Sequence, residues 1–360
     1  MKNRVRDGFR KLFNFGNLGL LLALTLTACT GKSGEEKSAK RQLNLAIWGN
    51  YFEPGEEKRF EELTGIDVQI TNYSSNEELL AKIQAGAGGI DVAVPSDYMV
   101  DILIKQGMLF PIEKSQIKHL SEIDPQYLKQ AYDPENQFSL PYAWTTTGIA
   151  VHRDLFKGDV GSWKKLLESP ELKGKVSMLD DTREAFAVAL KILGFSVNEK
   201  DEAKIVQAKD YLVKIRPQVK AYRSDVIDLI LRKEVAAAHA YGTEAVQAWK
   251  KSGGKIEYLL PEEGGTFSID NMVILKSAEN VQEAHALIDF FLTPETNVKF
   301  VERILAGPVL KKTRDMLPAD LKNHPGLFPP TEALKKFERI EDIGEATRVY
   351  DRAWTELKSR

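Results

Sequence analysis

Alternating strand and helix patterns constrain the fold of this chain more than any other feature. Apolar, β-prone runs at residues 43–48, 68–73 and 90–94 are separated by helical spacing at 56–63 and 76–85. Glycines follow both helical segments, where helices commonly end. Strands joined through single helices pair in parallel and carry the helices on their faces. The sequence therefore predicts an α/β fold built on parallel strands.

The same alternation returns in the second half of the chain. Five further runs have the apolar character of strands: 147–152, 176–179, 219–222, 236–241 and 256–260. A last strand at 271–275 leads to helices at 281–292, 295–305 and 344–357. About 320 residues from Gln42 on exceed one ordinary hydrophobic core. We therefore predict two lobes with two crossings that form a hinge, and their limits are 43–147 plus 271–317, and 148–270 plus 318–360.

The N-terminus has the pattern of an export signal, which we place at residues 1–28. Basic residues precede a short apolar run at 18–24, too short to span a bilayer. Leu26-Thr27-Ala28-Cys29 resembles the bacterial lipobox, which implies that Cys29 is lipidated; an ordinary signal peptide is the alternative. Cys29 is the single cysteine, so it forms no internal disulfide. Residues 29–42 are polar and predict a flexible tether.

Charge limits the partners of the chain. Residues 1–28 carry five basic residues and one acid, a net of +4, so the formal charge of −2 becomes −6 without them. A moderately acidic body is unfavourable for binding nucleic acid or anionic lipid headgroups, and it is compatible with a cationic ligand.

Catalytic motifs are missing from the sequence. There is no Gly-x-Ser-x-Gly motif, no phosphate-binding loop and no nucleophile paired with a base. The five histidines lack the spacing of metal ligands, and each is expected to be a surface or hydrogen-bonded structural residue. We therefore predict a protein that is not an enzyme and that has no metal site and no cofactor.

Residues 176–184 bring acidic side chains to the end of a strand. An apolar run breaks into Asp180 and Asp181, and Glu184 follows on the first turn of a helical pattern. Ligands of open α/β sheets bind beyond the carboxyl ends of strands, where Asp181 and Glu184 could grip a cation together. The alternative is helix capping, with Asp180 or Asp181 as the N-cap and Glu184 completing a capping box.

Aromatic and acidic residues fall at other strand ends as well. Trp48 and Tyr51 follow the first strand, Tyr98 follows the third, Tyr241 ends another, and Asp270 lies beside the second crossing. Carboxylates bind ammonium groups, and aromatic faces attract cations by about 0.5 to 2 kcal/mol each. We therefore predict a crevice for a small organic cation; ordinary packing of each aromatic is the alternative.

Six short motifs are spread through the body of the chain: Trp48-x-x-Tyr51, Val94-Pro95-Ser96-x-Tyr98, Asp180-Asp181-x-Arg183-Glu184, Ser224-Asp225, Pro261-Glu262-Glu263-Gly264-Gly265 with Asp270, and Asp342-Ile343-Gly344. Together they resemble one family, the spermidine/putrescine-binding proteins of bacterial ABC importers. The resemblance covers residues 43–360. It implies a two-lobed periplasmic-binding-protein fold, in which each lobe is a central β-sheet flanked by helices and a polyamine lies in the cleft.

Position by position, the resemblance implies a set of ligand-binding residues. One lobe would contribute Trp48, Tyr51, Ser96 and Tyr98, and the other Asp181, Glu184, Ser224, Tyr241 and Asp270. The protein would then be a monomer in the periplasm or at the cell surface, held to the membrane through Cys29, that passes its polyamine to an ABC permease. A polyamine-sensing module for a signalling partner, or a binder of another small organic cation, is the alternative. Iron(III) binders of this fold commonly present adjacent tyrosines, which this chain lacks.

Three positions depart from the family pattern. Ser268 and Gly307 stand where family members have tryptophan and tyrosine, and Ile340 replaces a glutamine. Tyr241 replaces a tryptophan and keeps an aromatic face. Because stacking faces and an amide are lost, we expect the affinity for putrescine to rise relative to the affinity for spermidine, compared with family members that keep these side chains. The vacated space could instead admit spermidine with water completing its contacts.

Overall fold

The computed structural model describes residues 41–49, 51–52, 55–86, 89–223 and 225–359. Residues 40–360 form one compact unit. The export signal, Cys29 and most of the tether lie outside the described residues, and so does Ser224.

Among the described residues, ten strands form the central layer. They are β1 (Arg41–Trp48), β2 (Ile66–Tyr73), β3 (Val92–Ala93), β4 (Leu109–Phe110), β5 (Ser139–His152), β6 (Val176–Met178), β7 (Val219–Tyr222), β8 (Ala237–Tyr241), β9 (Ile256–Leu259) and β10 (Phe267–Leu275). Their order is β2-β1-β3-β10-β5-β8-β6-β7, with β4 on β10 and β9 on β5. β1 is parallel to β2 and β3, and β6 is parallel to β7 and β8, as predicted.

Antiparallel strands at the centre of the sheet interrupt the parallel pairing that the strand–helix alternation predicts. β10 runs antiparallel to β3 and β5, and β5 runs antiparallel to β8 and β9, so the sheet is mixed. β5 also starts at Ser139, eight residues before the strand run predicted at 147–152. The register of β5 and β10 shifts beside Pro141, because proline has no N–H to donate to the ladder. The strand continues through this irregularity.

β5 and β10 cross between the two halves of the sheet. The first part of β5 pairs with β10, and its second part pairs with β8 and β9. The segment around Glu338 joins them: the Phe267 N–H donates to the Glu338 carbonyl oxygen at 2.9 Å, and the Glu338 N–H donates to that of Gly265 at 3.1 Å. These three segments connect the halves.

Helices cover the sheet. They are α1 (Glu56–Thr64), α2 (Asn76–Gln84), α3 (Asp97–Lys105), α4 (Trp163–Glu168), α5 (Thr182–Ile192), α6 (Glu202–Lys214), α7 (Val226–Leu231), α8 (Gly242–Lys251), α9 (Val281–Phe291), α10 (Pro294–Ile304), α11 (Thr313–Met316), α12 (Ala319–Lys322), α13 (Thr331–Leu334) and α14 (Thr347–Lys358). α1 ends at Gly65, whose φ of +71° is the left-handed conformation that glycine adopts without strain. In the part of the chain that the structure describes, no helix has both the length and the apolar character needed to cross a membrane.

The apolar core is divided between the two halves. β1, the first part of β5, β10, α9 and α10 surround one core, and the second part of β5 with β6, α4, α5 and α6 surrounds another. The C-terminal segment contributes to both: Leu321 and Leu327 pack in the first core, and Tyr350 and Leu357 in the second. The two-lobed α/β fold is thus confirmed, and the lobe limits stay a prediction.

Candidate ligand-binding cleft

Asp270 lies in the middle of β10, where that strand meets the start of α3. Its side chain is 6% exposed, and its Oδ1 accepts a hydrogen bond from Ser96 Oγ at 2.7 Å. The Ser96 N–H donates to Asn76 Oδ1 at 3.2 Å, which holds the serine at the helix start. Burial raises the pKa of Asp270 to about 6, although hydrogen bonding from Ser96 and Tyr51 opposes the shift. An ammonium group placed here would therefore stabilise the ionised carboxylate.

Aromatic packing fixes Tyr51 beside Asp270. Its ring lies 6.0 Å from that of Tyr142 and 5.7 Å from that of Phe300, and the Tyr142 hydroxyl donates to the Tyr51 carbonyl oxygen at 2.7 Å. Burial and then the Asp270 charge raise the pKa of Tyr51. Tyr51 therefore stays neutral and can present both its ring and its hydroxyl to a cation.

Trp48 and Tyr73 join the Asp270 region to Tyr98. Trp48 Nε1 donates to the Val94 carbonyl oxygen at 2.9 Å, and its ring lies 4.8 Å from that of Tyr73. Burial raises the pKa of Tyr73 first, and the charges of Asp270 and Tyr98 raise it further. The Tyr98 hydroxyl donates to Glu77 Oε1 at 2.9 Å.

Tyr98 and Tyr241 belong to opposite halves of the molecule and interact electrostatically. Burial raises the pKa of Tyr98 most, and the charges of Glu77 and, more weakly, Asp181 raise it further. Burial likewise dominates the raised pKa of Tyr241, followed by Asp181 and then Glu184, with a smaller effect of Tyr98. Residues predicted from opposite lobes thus lie within electrostatic reach of one another.

Asp181 is the N-cap of α5, so the capping interpretation holds for this residue. Its side chain accepts from the Glu184 N–H at 3.0 Å. Burial raises the pKa of Asp181, and the Glu184 charge raises it further. A cap whose carboxyl is desolvated beside a second acid can still accept a bond from an ammonium.

Glu184 is only 5% exposed, and its carboxylate bonds to Thr266, the residue directly before β10. Both of its carboxylate oxygens accept from Thr266 Oγ1, at 2.8 and 2.9 Å. The side chain therefore reaches across to Thr266 rather than back to the helix start, so the capping-box interpretation fails for Glu184. Thr147 Oγ1 lies 2.7 Å from Thr266 Oγ1, which ties Glu184 to β5 at the crossing.

His239 lies behind Glu184 on the core side. Its Nε2 is 3.8 Å from Glu184 Oε2, and its ring meets that of Trp163 edge-on at 5.0 Å between centroids. Among the described residues, neither ring nitrogen has a hydrogen-bond partner. The expectation of a surface or hydrogen-bonded histidine is wrong here, because β8 directs this side chain into the core.

Glu244 is an acidic residue of this region that the sequence patterns missed. It lies on the first turn of α8, three residues after Tyr241. Its Oε2 is buried without a hydrogen-bond partner in the described part of the chain. Burial, followed by the charge of Asp225, raises the pKa of Glu244 to about 8. Its spacing from Tyr241 matches that of Glu184 from Asp181 at the end of the neighbouring strand, which is the signal that could have identified it.

The structure therefore brings together all of the predicted ligand-binding residues that it describes. Tyr51, Ser96 and Asp270 form one group. Trp48 contacts Tyr73, which lies near Tyr98. Tyr98 lies near a second group, which consists of Asp181, Glu184, Tyr241 and Glu244. Within the described ranges, no group of three or more His, Cys, Asp or Glu residues is arranged to hold a metal ion.

Acidic and aromatic side chains between two α/β lobes define a binding protein for a small solute. The chain belongs to the family described as bacterial extracellular solute-binding protein, whose profile matches residues 58–329. It is 33% identical over 348 residues to the spermidine/putrescine-binding periplasmic protein 1 of Haemophilus influenzae. This alignment covers 94% of this chain and 96% of that protein.

Solved structures show the same similarity. The spermidine/putrescine ABC transporter substrate-binding protein PotD of Streptococcus pneumoniae is 30% identical with a TM-score of 0.82, covering 89% of this chain and 99% of that one. The TpPotD lipoprotein of Treponema pallidum is 26% identical with a TM-score of 0.81, covering 89% and 100%.

Proposed function

We propose that this protein binds a polyamine, putrescine or spermidine, between its lobes and delivers it to an ABC permease. The observation that carries the proposal is the set of four desolvated acids, Asp181, Glu184, Glu244 and Asp270, which lie among aromatic side chains. Buried acids need cations, and a polyamine supplies ammonium groups joined by methylene chains that aromatic faces accept. The names of the relatives support the same ligand class.

The arrangement gives each end of a diamine its own acceptor. Asp270, with Ser96 and Tyr51, would receive one ammonium group. Asp181, Glu184 and Glu244 would surround the other, and Ser224 belongs to the set by resemblance. Trp48, Tyr98 and Tyr241 would cover the chain between the ends. Binding would close the lobes about β5 and β10, and the closed form would signal occupancy to the permease.

The proposal extends to anchoring and activity. We expect a monomer without enzymatic activity, since the relatives are binding proteins. Cys29 would carry the lipid that holds the protein to a membrane facing the periplasm or cell exterior. That the Treponema pallidum relative is a lipoprotein supports this anchor.

Calorimetric titration of the chain from residue 30 onward tests the proposal. Putrescine, spermidine and cadaverine should bind with saturable one-site isotherms, whereas glutamate and γ-aminobutyrate should give no heat beyond dilution, because their carboxylates would meet buried acids. Binding of an amino acid with no response to any polyamine would overturn the proposal.

A further inference from the structure

Arg339 places a cation of the protein beside the acids of the cleft. Its Nε lies 3.5 Å from Asp97 Oδ2, and Asp97 is 2% exposed. Its guanidinium lies 5.6 Å from the ring centroid of Phe267 and 6.0 Å from that of Tyr132. The Arg339 Nε is buried and has no hydrogen-bond partner among the residues that the structure describes. An ion pair and two aromatic faces therefore hold this charge.

Asp97 lies between two of the predicted ligand-binding residues, Ser96 and Tyr98. Its carboxylate accepts from the Tyr98 N–H at 2.9 Å and from the Ile269 N–H at 3.3 Å. Burial raises the pKa of Asp97 to about 7 against the opposing effect of Arg339, and the Asp270 charge raises it further. The Asp97–Arg339 pair thus borders the acid that we assign to one ammonium group.

The backbone around Arg339 is fixed. Glu338 exchanges two main-chain hydrogen bonds with Gly265 and Phe267 at the start of β10, and its side chain pairs with Lys191 at 2.9 Å. Arg339 therefore projects from an ordered segment of the crossing, rather than from a surface loop.

Aromatic rings extend from Arg339 along the crossing. Phe267 stacks on Trp144 at 5.6 Å and 28°, and Trp144 on Tyr127 at 6.3 Å and 21°. We call Arg339, Phe267, Trp144 and Tyr127 the Arg339 column. A Cβ at Gly307 would lie 2.1 Å from Trp144 Cε2, so the column leaves no room for a side chain there.

The three departures from the family pattern all border the Arg339 column. Gly307 packs on Trp144 through two reciprocal main-chain hydrogen bonds, of 2.8 and 3.1 Å. Ser268 directly follows Phe267, and Ile340 directly follows Arg339. The positions at which aromatic and amide side chains are lost are therefore next to a fixed cation, Arg339, and a stack of aromatic rings.

We propose that the Arg339 column makes the cleft selective for a diamine over a longer triamine. The guanidinium pairs with the Asp97 carboxyl, so this acid is not available to a third ammonium group. It also repels a third positive charge brought to this end of the cleft. A diamine needs only the two groups of acids assigned above and keeps its affinity. This inference rests on the proposed function and deepens it.

Arg339→Gln tests the inference, with putrescine and spermidine titrated separately by calorimetry. The parent protein should bind putrescine more tightly than spermidine. Arg339→Gln frees Asp97 for a third ammonium, so the spermidine affinity should rise at least tenfold relative to putrescine. Arg339→Lys retains the charge and should keep the parent ratio. Adding Asp97→Asn to Arg339→Gln removes the freed acid and should lose most of the gain.

Three results would contradict the inference. A parent protein that prefers spermidine would overturn the assigned selectivity. If Arg339→Gln leaves the ratio of the spermidine and putrescine affinities unchanged, the Arg339 column has a structural role only. If the variant loses the same affinity for both ligands, the Asp97–Arg339 pair is only a contact between the lobes. A parent protein that binds neither polyamine would instead overturn the proposed function.

A second variant covers the case in which Arg339→Gln fails to fold. Phe267→Leu removes the ring beneath the guanidinium and leaves both charges in place, so the ratio should move toward spermidine by a smaller factor. No movement in this variant would also count against the inference.

Discussion

Glu244→Gln should raise the stability of the ligand-free protein and lower its affinity for the ligand. The ordinary pKa of the glutamate side chain is 4.5, and burial raises that of Glu244 to about 8. Between these values the unfolded chain has lost the proton that the folded protein keeps, so stability falls as pH rises. The fall is about 1.4 kcal/mol per pH unit, which amounts to an upper limit of about 3 kcal/mol at pH 7.

Glutamine removes this titration and keeps the shape of the side chain. Urea unfolding at pH 7.5 should therefore show Glu244→Gln to be more stable than the parent by about 1 to 3 kcal/mol, and the two should coincide at pH 4. Glu345→Gln is the matched control, because Glu345 pairs with Arg348 on the surface, with both side chains more than 80% exposed. Its unfolding should follow the parent at both pH values.

In ligand binding the order of the two proteins should be the reverse of their order in stability: the parent should bind more tightly than Glu244→Gln. An ammonium group near Glu244 favours the ionised form, so the parent should release up to one proton from this residue on binding at pH 7. Calorimetry in two buffers of different ionisation enthalpy measures this release. Glu244→Gln should release correspondingly less and bind putrescine at least tenfold more weakly. Equal proton release and equal affinity would show that Glu244 is not part of the ligand site.

Three further predictions concern the acids, the anchor and one glycine. Asp181→Asn, Glu184→Gln and Asp270→Asn should each cost about 2 to 5 kcal/mol of binding free energy, which calorimetry would measure as at least a tenfold loss of affinity. The affinity of the parent protein should also fall below pH 6, because Asp270 takes up a proton there. If all three variants bind like the parent, these acids have structural roles only. Cys29→Ser should release the protein from membranes, and mass spectrometry of the membrane-bound parent should find an acylated Cys29; an unmodified terminus elsewhere would rule this out. Gly307→Ala should lower the free energy of unfolding in urea by about 1 to 3 kcal/mol because of its contact with Trp144, and parent-like stability would contradict that packing.

Matched variants control for unspecific effects. Glu345→Gln controls for loss of an acidic charge in the binding assays, since Glu345 lies on the surface. Gly49→Ala controls for the glycine change, because a Cβ at Gly49 would meet nothing within 4 Å.

Local sequence pattern was sufficient to predict most helices and strands of this protein. α1 and α2 begin and end within two residues of their predicted limits, since apolar spacing, caps and terminal glycines act over a few residues. The same local signals placed Asp181 at a helix start and brought acids and aromatics to strand ends. The family resemblance then indicated which of these residues share one cleft.

Tertiary structure alone decided which distant groups meet. The antiparallel pairing of β5 with β10 depends on how the chain returns after more than a hundred residues, which periodicity does not encode. Long-range contact also joined Glu184 to Thr266 and Arg339 to Asp97. Glu244 followed the same spacing as Glu184, but only the folded structure shows that its Oε2 has no hydrogen-bond partner among the described residues and that burial raises its pKa. Desolvation depends on everything that packs around a group, so it exists only once the whole chain has folded.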